Sequence, residues 1–218
     1  MSERLHRKVM ALGLAPRHVA EVGVYLPESS HVLDFIEAGC RADLVEPDPI
    51  CLARLRERFG DNAGVTIHPV AIHERPGRLA LYQRGASTFA KGLPSSPSIA
   101  NDGYTPDEAD LIEVDATTFD TIDDGTIDVL SIDTEGCEWY AIKAMKSRPA
   151  VISIEMGFRS YRNPFAAEIA AWLRDNGYVQ WYRDRSDRVY IRRELRPGLW
   201  RRMFPFFYYF FFLLLLPL

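Results

Sequence analysis

Cysteine is scarce in this 218-residue chain: Cys40, Cys51 and Cys137 are odd in number, far apart and without metal-ligand spacing. That argues against a disulfide scaffold or a structural zinc site and fits a reducing compartment. A glycine-rich phosphate loop is missing too. After Gly23 the next glycine is Gly39, so no G-x-G-x-x-G opens a helix, which speaks against a dinucleotide-dependent oxidoreductase. The first 17 residues are charged and lack an apolar centre, so no secretory signal is read there and a cytoplasmic location is expected. Internal repeats are absent. The 16 chargeless residues Met203–Leu218 would reach only ~24 Å as a helix, against a ~30 Å hydrocarbon core.

Charge is unevenly placed. Residues 183–202 hold eight arginines against Asp184, Asp187 and Glu194, a local +5 that leaves −9 on the rest of a chain of net charge −4. An acidic body with one basic collar is not the footprint of a nucleic-acid binder, and no nucleic-acid partner is expected. The collar leads into the aromatic and leucine-rich run, an order suited to anionic headgroups, then the interface, then the acyl region. Residues 196–218 are therefore read as a peripheral membrane tether on the inner face. The competing reading is a tail folded onto its own domain or an unstructured end.

Between 1–17, a short amphipathic helix, and that tail, residues 18–195 alternate apolar strands with helical patterns, the signature of a βαβ sheet. Strands are expected at 18–24, 42–45, 65–72, 78–82, 127–133 and 150–155. Helices are expected from a cap at Ser29 or Ser30, over 49–59 and 138–145, and around Phe165, Ile169, Trp172 and Leu173. Residues 179–183 and 188–192 close the domain as an antiparallel hairpin. Residues 83–110 lack periodicity, which suggests a functional cover.

The most informative segment is Ile127-Asp-Val-Leu-Ser-Ile-Asp-Thr-Glu-Gly-Cys-Glu138. Its apolar strand ends abruptly at Asp133 and Glu135, and in parallel sheets ligands bind beyond the carboxyl ends of strands. Gly136 permits a tight turn into the next helix. The first strand ends in Glu21-Val-Gly23, where a glycine lets backbone approach a nucleotide-like ligand. The second ends in Glu46, an acid placed to accept both ribose hydroxyls of a nucleoside.

The order Glu21-Val-Gly23, Leu44-Val-Glu46-Pro-Asp48, Phe119-Asp120 and Ile132-Asp-Thr-Glu-Gly-Cys-Glu138 resembles the FkbM family of S-adenosylmethionine-dependent methyltransferases. The last segment is similar to that family's I-D-x-E-G-x-E signature, and Val151–Glu155 resembles the acid-ended strand that follows it. The resemblance implies a doubly wound, mostly parallel seven-stranded sheet of the class I methyltransferase type, Rossmann-like, with the antiparallel hairpin at one edge. It also implies O-methylation of a sugar, glycan or other small natural product. By the same resemblance Glu21, Gly23 and Tyr25 hold the methionine portion of the cofactor and Glu46 its ribose. Ala71 lies along the adenine, and Asp133 and Glu135 flank the methyl centre. In the first loop Tyr25 stands where the family has Asn and Pro27 where it has Gly, so a different loop path is expected.

An alcohol acceptor needs alignment and a base. Asp133 is the first candidate, with Glu155 and His73 behind it, while Glu138 reads as a supporting acid. Ser87, Thr88 and Lys91 are expected over the acceptor. Asp133 and Glu135 could instead hold a divalent cation, but no further ligands cluster with them in the sequence and no metal is assigned. A non-catalytic, membrane-associated binding module is the alternative to an enzyme.

Overall fold

A computed structural model describes residues 2–197. Its main sheet is built from strands with almost no exposed side chain: β1 (His18–Val22), β2 (Arg41–Val45), β3 (Val65–His68), and later β8 (Val129–Ile132) and β9 (Val151–Glu155). The pleat sends successive residues to opposite faces. Val19, Leu44, Val129 and Val151 meet one helical layer, α1 (Ser2–Ala11), α2 (Leu33–Glu37) and α3 (Pro49–Phe59). Ala20, Val22, Leu130, Ile132, Ile152 and Ile154 meet the other, α5 (Glu138–Ala144) and α6 (Ala166–Asp175). Leu5 and Val9 of α1 are fully buried in the first layer, so the N-terminal helix belongs to the same core as the strands.

The hairpin β10 (Tyr178–Asp184) and β11 (Asp187–Arg192) completes seven strands in the order β10-β11-β9-β8-β1-β2-β3. β11 alone runs against the others. The chain changes direction across the sheet between β1 and β8, which opens a crevice at their carboxyl ends.

Residues 65–72 depart from the single strand expected there. Pro69 has no amide hydrogen to give to a ladder, and the Val70 N–H turns back to His68. After this break, β4 (Ala71–Ile72) joins a second sheet in the order β4-β7-β5-β6 with β5 (Gly77–Tyr82), β6 (Phe89–Ala90) and β7 (Leu111–Thr117). Nor is 83–110 irregular throughout. Besides β6 it holds α4 (Pro97–Asp102), capped by Ser96 and closed by left-handed Gly103. No described helix is long and apolar enough to cross a membrane; the proposed tether from residue 198 onward lies outside the described residues.

Candidate active site

Two loops meet where β1 and β8 end. Gly23 donates its N–H to the Val45 carbonyl, and the Asp133 N–H goes to Val22, each at 2.9 Å. Gly23 has φ +83°, and a Cβ there would lie 1.8 Å from the Asp133 carbonyl oxygen. Only glycine lets these loops close together. Tyr25, also left-handed at φ +61°, gives its N–H to Glu46 Oε2 at 2.8 Å. Oε1 of the same carboxylate accepts the Asp48 N–H at 2.9 Å. Glu46 thus pins the first loop while keeping lone pairs for a ligand, and burial raises its pKa to about 7. Pro27 opens a short 3-10 turn.

A cavity of about 210 Å³ opens here, and Glu21, Gly23, Tyr25, Glu46, Ala71, Asp133 and Glu135 all line it. Every residue read as cofactor-binding is therefore on one wall or another of a single space. The second sheet supplies its apolar side through Ala71, Ile72, Leu79, Leu81 and Ala90, a surface suited to a planar base. Thr88 lines the cavity but Ser87 does not. Lys91 turns away, with its ammonium 2.7 Å from exposed Glu108. Asp48 ties the cover down: Oδ1 caps α3 through the Ile50 N–H at 2.8 Å, and Oδ2 accepts from Gln83 at 2.8 Å.

The other two base candidates are elsewhere. His73 is outside the cavity; its ring packs 4.5 Å from that of Tyr140, and burial lowers its pKa. Glu155 is 5% exposed, does not line the cavity, and stands behind Asp133 with a carboxylate oxygen within 4.8 Å of it. Glu138 is fully buried and holds the turn: its Oε1 accepts the N–H of Thr134 at 2.8 Å and of Gly136 at 3.1 Å. Its Oε2 accepts from Asn163.

The strand register creates a polar patch that reading the strands as uniformly apolar overlooked. Glu21 pairs with Ser131, and Ser131 with Ser153, while Glu155 pairs with Asp187. His31, just before α2, lies over this patch, its Nδ1 2.9 Å from Ser131 Oγ and 3.5 Å from Asp187 Oδ2. Glu21 accepts from Ser30 Oγ at 2.5 Å and from the His31 N–H at 2.8 Å. Ser30 is thereby taken from the capping role expected of it, and Val32 stands at the start of α2 with no side-chain cap. Desolvation raises the pKa of Glu21, Asp133, Glu135, Glu138, Glu155 and Asp187. A cation arriving among them would be stabilised.

A second cleft, of about 710 Å³, lies on the other side of Asp133. Asp133, His31 and Ser29 line both spaces. Among the described residues acids dominate the second (Glu3, Glu28, Asp34, Asp133, Asp184 and Asp187), with Arg4 and Arg185 as its strong bases.

A family model for the methyltransferase FkbM domain matches residues 19–179. No curated protein matches the chain. Solved structures similar to it include a Pyrococcus horikoshii protein assigned as an RNA methyltransferase, at 10% identity, 91% of this chain, 83% of that one and TM-score 0.47. Another is S-adenosylmethionine-bound CalS10 of Micromonospora echinaspora, an amino pentose methyltransferase of calicheamicin biosynthesis, at 14% identity, 88% and 89% coverage and TM-score 0.46. A third is precorrin-6y C5,15-methyltransferase of Geobacter metallireducens, at 15% identity, 87% and 86% coverage and TM-score 0.41. With that family model spanning residues 19–179, the chain belongs to the FkbM methyltransferase family and takes S-adenosylmethionine as its cofactor.

Proposed function

We propose that the chain O-methylates a small, hydroxyl-rich acceptor such as a sugar or glycan, with the cofactor in the first cavity and the acceptor entering by the second cleft. The observation that carries this reading is that Asp133 lines both. Glu21, Gly23 and Tyr25 would hold the methionine portion, Glu46 the ribose, and the second sheet at Ala71 the adenine. Glu135 and Asp133 would face the sulfonium, whose positive charge draws the carboxyls toward their ionised forms. These walls would hold an acceptor hydroxyl in line with the methyl–sulfur bond, and Asp133 would take its proton. S-adenosylmethionine, when bound, would supply the methyl group and leave as neutral S-adenosylhomocysteine. Alignment along that axis contributes about 7–11 kcal/mol, and the base adds ~10²–10⁴-fold.

The excess of carboxylates in the second cleft favours neutral polyols or amine-bearing acceptors over phosphorylated ones and nucleic acid. Asp133→Asn should abolish transfer to an acceptor found by mass-shift screening while S-adenosylhomocysteine still binds. Retained turnover would reject Asp133 as the base. Residues 196–218 would place the enzyme at a membrane surface, supported by the arginine collar and the aromatic run; an unchanged soluble pool on deleting 203–218 would remove that part.

A further inference from the structure

Oxygen atoms of Asp133, Glu138 and Glu155 all lie within 4.8 Å of one another. The three come from different places: the end of β8, the first turn of α5 and the end of β9. Sequence spacing gives no hint that Glu155 joins the other two, because it is the pairing of β8 with β9 that brings it there. Oxygens opposite each other around a hard divalent ion are separated by ~4.2 Å for Mg²⁺ and ~4.6–5.2 Å for Ca²⁺, twice the metal–oxygen distance. The 4.8 Å spread is inside the Ca²⁺ range and roughly half an ångström beyond that of Mg²⁺, so small carboxylate rotations would close the cluster on the smaller ion.

A group outside the cluster also points to something bound there. Tyr161 is 0% exposed, yet its hydroxyl has no hydrogen-bond partner among the described residues. The hydroxyl lies 3.5 Å from where a Cβ of Gly136 would be, within the loop that carries the acids. Asp133 Oδ1, Glu135 Oε2 and Glu155 Oε2 are likewise buried and unpartnered. Buried polar atoms are rarely left so. An ion held by Asp133 and Glu155 would answer two of the four as ligands, and waters carried by that ion would reach Glu135 and Tyr161.

We propose that Asp133, Glu138 and Glu155 bind one hard divalent cation, of the Mg²⁺ or Mn²⁺ kind, at the floor between the two cavities. Asp133 is the entry side, since it lines both spaces. Asn163 holds Glu138 in place as a ligand. The ion's role rests on the methyltransferase reading: beside the acceptor it would hold and polarise the hydroxyl to be methylated. Its binding does not depend on that reading.

The test uses the full chain with Mn²⁺ alone, followed by calorimetry and electron paramagnetic resonance. S-adenosylhomocysteine binding is measured on the same preparation. One Mn²⁺ should bind per chain, and Glu155→Gln should weaken it by at least about tenfold while leaving S-adenosylhomocysteine binding in place. If Glu155→Gln fails to fold, Asp133→Asn takes its place. No Mn²⁺ uptake up to about 1 mM by protein that binds S-adenosylhomocysteine would overturn the cation site, as would uptake unchanged in both variants. Mn²⁺ binding that is sensitive to Glu155→Gln, without S-adenosylhomocysteine binding, would sustain the site and refute the role given to it.

Discussion

Replacing Gly23 by Ala should be the most damaging single-methyl change in the chain. At φ +83° an alanine is strained by about 1–2 kcal/mol. Its Cβ would lie 1.8 Å from the Asp133 carbonyl oxygen and 2.8 Å from its carbon. Relief requires the two loops to part by more than an ångström, which breaks the Gly23–Val45 and Asp133–Val22 hydrogen bonds. Leaving those buried groups unpaired costs about 1–3 kcal/mol each. The total, about 3–8 kcal/mol, rivals the whole stability of an ordinary domain. Gly39 is the control: φ is +89° but nothing lies within 4 Å, so Gly39→Ala should show the strain alone. Urea unfolding and S-adenosylhomocysteine titration of both variants measure this. Should Gly23→Ala unfold within about 1 kcal/mol of Gly39→Ala and bind ligand normally, the close loop contact is not the basis of the site.

Stability of the ligand-free chain should fall as pH rises from about 5 to 8. Burial raises Glu46 from 4.5 to about 7 and lifts the carboxyls around Asp133 as well. The folded state therefore binds more protons than the unfolded chain across that window, and the slope of stability with pH is negative. Glu46 alone accounts for up to about 3 kcal/mol, fully present below pH 4.5 and lost through pH 7. Denaturant midpoints that stay level or climb over this range would contradict it. Asp43 acts in the opposite sense. Burial works to raise its pKa, but hydrogen bonds from His18 at 2.7 Å and His68 at 2.8 Å outweigh that and hold it well below the usual carboxylate range. Its contribution is lost only as pH falls below about 4. Asp43→Ala should cost about 3–5 kcal/mol by stranding these partners and leave S-adenosylhomocysteine affinity unchanged in protein that stays folded, because none of the three lines the cavity.

Local signals were most legible where one force decided the outcome. α3 runs Pro49–Phe59 as expected because Asp48 caps it, proline sets its first turn and Leu52, Leu55 and Phe59 are buried. The Ile127–Glu138 motif was legible because a fully buried strand ending in acids has few other uses. The terminal hairpin likewise followed from its turn between Asp184 and Asp187. Of the second sheet only β5 was expected, at 78–82; β4, with two residues, gives no signal, whereas the alternation Ile112-Glu-Val-Asp-Ala in β7 is a strand pattern. Pro69, the residue that splits 65–72, was visible but went unused.

The site was legible as a set of acids, less so in what surrounds them. Glu21, Glu46 and Asp133 converge because their strands end on one edge, which the βαβ pattern implies. Ser131, Ser153 and Asp187 share a sheet face only through register, so the contacts of Ser131 and Asp187 with His31 and the approach of Glu155 to Asp133 do not follow from sequence spacing. One clue was available, a serine between apolar neighbours in both Val-Leu-Ser-Ile and Val-Ile-Ser-Ile.

The central claim is that Glu46 holds the ribose of a nucleoside cofactor whose methyl end lies at Asp133, in the one cavity both residues line. Calorimetric titration of the full chain with S-adenosylhomocysteine, alongside Glu46→Ala, tests it most directly. The account predicts one site per chain, weakened about tenfold or more when the Glu46 carboxylate is removed, a loss of at least about 1.4 kcal/mol. A folded protein that takes up no S-adenosylhomocysteine, or binds it equally well without Glu46, would contradict the account.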